Sequence, residues 1–286
     1  MSKNARIGEV RLTVEGAEGV PENVENNIIG TTSNNWSGTS VVNGTTSSVE
    51  AIIGMFVVPT AHQAFGACTG GWDYSSLWPG IDGNGGAGND VRQAGVEVDA
   101  YCNGGSTSSF YSAWIEWYPN GSTRVSSPAI HPGDLVFVEV WSTSPTQGYA
   151  YFYNYSTNIT AEYALTAPSG TTVHGSSLEW IVERPSLGSS LTTLTNYSAS
   201  PWSEGIAWNY TATSPTYYYM GNNPTVGTLE QITMNDDSGK GISSATIESS
   251  VKNRANVEGS SEARRMKKSI SQEMTAAGPD FLRFEI

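Results

Sequence analysis

The chain has 286 residues, of which 38% are hydrophobic and 14% charged, and it contains 9 Trp and 14 Tyr. This size allows one large domain or two small ones with a buried core. The formal net charge is −13, and histidines aside only Arg92, Arg124 and Arg184 are basic between residues 12 and 239. Nucleic-acid binding by phosphate neutralisation is excluded, because it needs clustered Lys and Arg.

The first 30 residues are acidic and weakly patterned, and we expect an N-terminal extension with one short strand over 7–14 followed by a linker. They lack the continuous apolar stretch of a signal peptide. The sequence also contains no run of about 18 apolar residues, so we expect no membrane span.

From residue 34 onward, short runs rich in aromatic and β-branched residues alternate with clusters of Gly, Ser, Asn and Pro. Such runs favour strands over helices, and their regular spacing is typical of a sandwich or a barrel. We therefore predict an all-β fold. Its clearest strands are expected at 49–59, 91–101, 110–119, 134–142, 149–156, 178–185 and 206–212.

The C-terminal part differs, since the segment 250–275 collects much of the Lys and Arg of the chain. We interpret it as a solvated insertion rather than an amphipathic helix. A turn at Gly278-Pro279-Asp280 then leads into FLRFEI, which alternates again and predicts a closing strand. Residues 31–286 are therefore expected to form one domain.

Cys68 and Cys102 would close a loop of about 35 residues if paired, a constraint worth about 3–4 kcal/mol. The sequence leaves a disulfide and two free thiols equally open. His62, His131 and His174 show no metal-ligand spacing such as HExxH, and two cysteines cannot form a zinc ribbon. We expect neither a metal nor another cofactor.

Three of the predicted strands place polar residues on one face and apolar residues on the other, because side chains alternate along a strand. An ordinary solvated acidic face is one interpretation. Exposed faces usually carry Lys, Thr and Ser, however, whereas Trp and Tyr lie here among carboxylates, which favours a functional groove. The polar faces carry Gln93, Gly95, Glu97 and Asp99 in one strand, Ser112, Trp114, Glu116 and Tyr118 in the next, and Glu179, Ile181 and Glu183 in the third.

Several short blocks occur in a fixed order: NWSG (35–38), FVVP (56–59), LWPGIDG (77–83), QAGVE (93–97), AWIEWYP (113–119), PGD (132–134) and LEWIVERP (178–185). In these blocks and their approximate spacing, the sequence resembles the glutamic peptidase (eqolisin) family from about residue 34 to the end. Agreement is looser from TVGTLEQITM (225–234) onward, and the basic insertion is unexplained.

The resemblance implies an antiparallel β-sandwich, jelly-roll or concanavalin A-like, in which one of two large sheets curves around a substrate groove. The catalytic glutamine of the family falls on Gln93 and its catalytic glutamate on Glu179. A groove Asp of the family is replaced by Glu97, and another by Ser112, which loses a carboxylate. The implied substrate-binding residues are Trp36, Asp82, Glu97, Trp114, Glu116 and Tyr118.

The activity implied is that of an acid-acting endopeptidase that uses no metal and forms no covalent intermediate. Glu179 would take a proton from water and pass it to the leaving amine, while Gln93 would orient the water and bind the oxyanion. The expected partners are polypeptide substrates, with no nucleic acid or membrane, and the protein is expected to be a monomer. The resemblance also implies an extracellular protein, with a cytoplasmic one as the alternative.

Two other functions remain open on the sequence alone. The same sandwich could bind carbohydrate or hydrolyse glycosides with Glu116 and Glu179, since sugar sites also combine aromatic rings with carboxylates. A retaining glycosidase would need the two carboxyl groups about 5–5.5 Å apart. A catalytically silent sandwich used for adhesion would also be compatible with the Thr, Ser and Asn content.

Overall fold

The computed structural model describes residues 28–42, 49–64, 70–85, 90–197, 202–208, 217–219 and 228–244. These ranges contain strands and turns, and no α-helix. The strands are β1 (Ile28–Ser33), β2 (Trp36–Val42), β3 (Ala51–Val57), β4 (Ala61–His62), β5 (Gly71–Asp73), β6 (Ser76–Ile81), β7 (Arg92–Asn103), β8 (Ser106–Trp117), β9 (Thr123–Val125), β10 (Leu135–Ser144), β11 (Gln147–Asn154), β12 (Ile159–Thr166), β13 (Ser177–Glu183), β14 (Ser186–Leu187), β15 (Ser190–Leu191), β16 (Asn196–Tyr197), β17 (Trp202–Trp208), β18 (Tyr217–Tyr219), β19 (Thr228–Asn235) and β20 (Gly241–Ser244).

The described strands form two large sheets. The larger has the order β1-β19-β2-β13-β6-β7-β8-β9, with β20 beside β19 and β5 beside β7. The smaller has the order β12-β11-β10-β3-β17-β18, and β14-β15 and β4-β16 form short separate pairs. Neighbouring strands of the large sheets run antiparallel, except that β1 pairs with β19 in parallel.

The two large sheets pack face to face around one hydrophobic core. Val96 and Trp180 enter it from the larger sheet, and Ile52 and Val138 from the smaller one. The Trp180 indole N–H also donates a 2.7 Å hydrogen bond to the carbonyl oxygen of Ile53, on the opposite sheet. The predicted all-β sandwich is therefore confirmed. In the described part of the chain, no helix is long and apolar enough to cross a membrane.

The predicted strands are also confirmed. The first six correspond to β3, β7, β8, β10, β11 and β13. The seventh coincides with β17 as far as residue 208, and 209–212 lies outside the described residues. Alternation predicts these strands well because each contributes one apolar face to the core.

Cys102 is disulfide-bonded. The chain has one other cysteine, Cys68, which lies outside the described residues. This bond resolves the alternative that the sequence left open. The expected N-terminal extension, apart from 28–30, the basic insertion at 250–275 and the expected closing strand all lie outside the described residues.

Candidate active site

A row of directly opposed residues crosses six neighbouring strands of the larger sheet, and we call it the central row. Residues opposite one another project from the same face of a sheet. The face is the one turned away from the core, because Ala94 and Val96, next along β7, point into that core. We call it the site face. In order from β8 to β19, the central row consists of Glu116, Gln93, Gly80, Glu179, Ser40 and Glu230.

Gln93 and Glu179 are separated by one strand, and Gly80 stands between them. Neighbouring strands lie about 4.8 Å apart, so the backbones of Gln93 and Glu179 are about 10 Å apart. A Cβ atom at Gly80 would lie 2.7 Å from an indole carbon of Trp78 and 3.4 Å from the Cβ of Gln93. The absence of a side chain at Gly80 therefore keeps open the space into which the amide and the carboxyl project.

The amide of Gln93 is held by Glu116. Its Nε2 donates a 2.5 Å hydrogen bond to Oε2 of Glu116, while its buried Oε1 has no partner among the described residues. An amide NH₂ group carries two donor hydrogens, so the second one remains available. Burial raises the pKa of Glu116 to about 7, although the hydrogen bond from Gln93 lowers it in part.

The carboxyl of Glu179 is fully buried, at 0% exposure. Neither of its oxygens makes a hydrogen bond within the described ranges. Burial raises its pKa well above the usual range of a glutamate; the Ser177 hydroxyl and the Asn84 backbone N–H offset part of the rise, and the charges of Asp82 and Glu230 add to it. A carboxyl in this state keeps its proton more readily than a free one, and it has unused capacity to bind a water molecule or a substrate group.

Asp82 organises the loop in front of Glu179 rather than facing an open groove. It is 1% exposed, and its two carboxylate oxygens accept four hydrogen bonds. The donors are the backbone N–H groups of His174, Gly175 and Ser176 and the hydroxyl of Ser176. Asp82 itself has a φ of 67°. The carboxylate is thus used up by the segment that leads into β13.

The three aromatic residues expected in the groove differ in exposure. Trp114 is 4% exposed and packs with Trp78 and Ile181 in a second apolar cluster on the site face. Trp36 is half-buried and meets the ring of Trp78 edge-on, with 5.2 Å between ring centroids. Tyr118, at the end of β8, is 48% exposed, so it is the one of these three rings with a large free surface.

A second pair of acids lies on the site face, beyond the apolar cluster that contains Trp78, Trp114 and Ile181. Glu97 on β7 and Glu183 on β13 both lie opposite Ser76 on β6. The Trp78 indole donates a 2.9 Å hydrogen bond to Glu183, whose pKa is raised by burial. Ser112, where the resemblance expects a carboxylate, lies opposite Glu97. Its hydroxyl donates to the backbone carbonyl of Ala113.

Sequence reasoning missed several neighbours of Glu179. Asn84 donates hydrogen bonds from Nδ2 to the Ser40 hydroxyl, at 2.9 Å, and to Glu230, at 2.8 Å. Glu230 lies within TVGTLEQITM, where family agreement is loose, and Ser40 carries no chemical signature by itself. Only the pairing of β13, β2 and β19 brings them beside Glu179.

The positions of the acids bear on the other functions considered. Glu116 and Glu179 are separated by three strand spacings, about 14 Å between their backbones, and Gln93 stands between them. This arrangement offers no support for a retaining pair of carboxyl groups in contact distance of one glycosidic bond. Among the described residues, no group of three or more His, Cys, Asp or Glu side chains is placed to hold a metal ion.

Fold and site together define an all-β protein whose recessed, acid-rich sheet face brings a side-chain amide and a carboxyl to either side of a glycine. A family model described as the Peptidase A4 family matches residues 34–257. The chain belongs to this family, which confirms the resemblance found in the sequence.

Two characterised proteins are similar to this chain. Aspergillopepsin-2 of Aspergillus niger is 28% identical over 182 residues, which cover 58% of this chain and 61% of that protein. Scytalidopepsin B of Scytalidium lignicola is 29% identical over 156 residues, which cover 54% of this chain and 52% of that protein. The chain thus spans less than two thirds of the length of either relative.

Solved structures of similar proteins include scytalido-glutamic peptidase with a transition state analog inhibitor. It has a TM-score of 0.49 and 21% sequence identity, over 73% of this chain and 84% of that one. Aspergilloglutamic peptidase from Aspergillus niger has a TM-score of 0.39 and 26% identity, over 59% of this chain and 96% of that one.

Proposed function

We propose that this protein is an acid-acting endopeptidase in which Glu179 and Gln93 activate one water molecule for attack on a peptide bond. Membership of the Peptidase A4 family supports the class of reaction. The observation that carries the assignment of residues is the register Gln93–Gly80–Glu179 on one sheet face. An amide oxygen and a carboxyl without partners lie there on either side of an open position.

In the proposed mechanism, the ionised carboxylate of Glu179 takes a proton from water as the water oxygen bonds to the carbonyl carbon of the substrate. The carbonyl oxygen becomes negative and accepts a hydrogen bond from the second N–H of the Gln93 amide. Glu179 then gives its proton to the amide nitrogen as the C–N bond breaks. The products are a carboxylic acid and an amine, and no covalent bond to the protein is needed.

Glu116 fits this scheme as a positioning residue. By accepting one N–H of Gln93 at 2.5 Å, it fixes the rotation of the amide, so that Oε1 is turned away from Glu116 and can orient the water. The same contact leaves one donor hydrogen for the oxyanion. The contact between Glu116 and Gln93 favours Gln93 and Glu179 as the reacting pair. It does not favour an arrangement in which Glu116 and Glu179 act directly on a substrate.

The pH dependence of activity should have two limbs. Glu179 must be ionised to act as a base, and since its pKa is raised by burial, activity should fall with decreasing pH in the acid range. A water molecule bound to the carboxylate would restore part of the lost hydrogen bonding and lower this pKa. Glu116 and Asp99, with pKa values raised by burial to about 7, ionise as pH approaches neutrality. Their negative charges would then disfavour the negative oxyanion that forms beside Gln93, so activity should fall again. We therefore expect the optimum on the acid side of pH 7.

Peptide substrates and an extracellular location are part of the proposal, because they follow from the family rather than from contacts in this chain. The raised pKa values of the buried acids agree with a protein that works in an acidic medium. We further propose that it acts as a monomer.

The decisive experiment measures hydrolysis of an unfolded protein between pH 3 and pH 7 by the wild type, Glu179→Gln and Gln93→Ala. We expect losses of about a thousandfold or more in kcat/KM for Glu179→Gln and of about a hundredfold or more for Gln93→Ala. Glu162→Gln, an exposed acid on the other sheet, is the matched control and should keep its activity. Equal cleavage by wild type and Glu179→Gln would refute the proposal, as would the absence of any cleavage.

A further inference from the structure

The site face carries one arginine whose surroundings prepare it to bind a ligand. Arg124 on β9 lies opposite Trp114 on β8, and so it projects from the site face. Its Nε donates a 2.6 Å hydrogen bond to Oε2 of Glu97, and its guanidinium carbon lies 4.7 Å from the ring centroid of Phe110. The side chain is still 57% exposed.

These contacts use only part of the guanidinium. A guanidinium has five N–H donors in a planar fork, and the Nε hydrogen is the one that bonds to Glu97. The two terminal nitrogens make no hydrogen bond to any residue in the described ranges. Glu97 and the Phe110 ring therefore hold the plane of a guanidinium whose side chain stays 57% exposed. A guanidinium held in this way can bind a carboxylate through two parallel hydrogen bonds from its terminal nitrogens.

The charges around Arg124 make this position distinctive. The titratable groups that interact with Arg124 are Glu97, Asp99 and Tyr74, and the acids Glu116 and Glu183 lie further along the site face. The other two arginines between residues 12 and 239 have partners elsewhere. Arg92 is fully buried and bonds to Ser142 between the sheets, and Arg184 bonds to Asp237 at 3.2 Å.

The distance from the central row is suitable for peptide recognition. Arg124 is two strands from Gln93, about 10 Å, and the row of Trp114 is two residues along the strand from the central row, about 7 Å. The two backbones are therefore about 12 Å apart, and an extended peptide advances about 3.3 Å per residue. With the length of the arginine side chain included, the guanidinium lies within reach of a substrate residue two to four positions from the bond that is cut.

We propose that Arg124 forms a carboxylate-binding subsite, which takes an acidic side chain or the C-terminal carboxylate of a peptide two to four residues from the scissile bond. The inference rests on the proposed endopeptidase function. The other charged side chains named on the site face are acids, which would repel a carboxylate, so Arg124 also fixes where along the groove the peptide can be placed. An ordinary exposed ion pair between Arg124 and Glu97 would predict no ligand preference.

The test compares peptides that differ by one charge. A cleavable peptide is prepared with Asp or Asn at each of four positions on either side of the scissile bond, and with a free or an amidated C-terminus, and kcat/KM is measured at pH 5. At one location we expect a preference for the carboxylate of roughly five- to thirtyfold, as for one bidentate charge-assisted pair. The Asp/Asn arm identifies a side chain as the ligand, and the acid/amide arm identifies the terminus.

Variants show whether Arg124 is responsible. The ratio should fall to within twofold of one in Arg124→Gln. Arg124→Lys, which keeps the charge and loses the fork, should give an intermediate ratio. Lys240→Gln removes the same charge from the exposed turn between β19 and β20, and it should keep the wild-type ratio. No preference at any position, or a preference that survives in Arg124→Gln or disappears equally in Lys240→Gln, would overturn the proposal.

Binding measured in the Glu179→Gln background separates this inference from the proposed function. Fluorescence anisotropy of labelled Asp and Asn peptides reports the same preference without turnover. If the carboxylate preference depends on Arg124 while no variant cleaves, the subsite stands and the endopeptidase proposal fails. If the wild type cleaves but the peptides bind equally with and without Arg124, the subsite is wrong and the endopeptidase proposal stands.

Discussion

Glu139 should make the stability of this protein depend on pH in a way that a single substitution removes. It lies on β10 between Tyr151 and Ile53 on the neighbouring strands and is 1% exposed. Its Oε1 has no hydrogen-bond partner among the described residues. Burial, with a smaller contribution from the charge of Glu162, raises its pKa from 4.5 to about 8.

The sign of the effect follows from proton linkage. Since the folded state binds this proton more tightly than the unfolded state, the contribution of Glu139 to stability is fully present below about pH 4.5 and is lost as pH rises toward 8. The loss amounts to about 1.4 kcal/mol for each pH unit in that window, or roughly 5 kcal/mol in all. Glu139→Gln keeps the shape of the side chain and cannot ionise, so it should lose this slope.

The measurement is denaturant unfolding at pH 4, 5.5, 7 and 8, with every protein in the Glu179→Gln background to prevent self-digestion. Glu139→Gln should match its parent within about 1 kcal/mol at pH 4 and exceed it by several kcal/mol at pH 8. Glu162→Gln, on the exposed neighbour, is the control and should change the slope little. Parallel stability curves for Glu139→Gln and its parent would refute the reasoning.

Two further predictions concern the site. Gly80→Ala places a Cβ 2.7 Å from the ring of Trp78 and 3.4 Å from the Cβ of Gln93. We therefore expect kcat/KM to fall at least about tenfold, while circular dichroism shows a retained fold. Full activity would contradict the role given to Gly80. Asp82→Ala removes the acceptor of four hydrogen bonds, and denaturant unfolding should show that the free energy of unfolding falls by about 3–5 kcal/mol. A change below about 1 kcal/mol would contradict the role given to Asp82 in holding the loop.

Alternation along single strands was enough to predict the strands and the faces of the site. The pattern in 91–101 places Gln93 and Glu97 on one face and Val96 on the other, and the structure has Val96 in the core. The same holds for Glu179 beside Trp180 in 178–185. These predictions succeed because side-chain direction in a strand is a local property of the backbone, with a period of two residues.

The environment of each acid could not be obtained in this way. Alternation along β13 places Glu179 on the site face, but it does not predict that burial raises the pKa of this carboxyl well above the usual range of a glutamate. Asp82 was expected in the groove, and its carboxylate is instead occupied by the loop 174–176. Burial and hydrogen bonding depend on what packs over a residue, and these neighbours come from distant parts of the chain.

The sequence by itself determined the fold class, the family and the face of each strand that carries polar residues. The tertiary structure decided that β6 lies between β7 and β13, so that Gly80 separates Gln93 from Glu179, and that Arg124 meets Glu97. Strand order and register are set by pairing between segments far apart in the chain and by the burial of one whole face. No local pattern in the sequence contains that information.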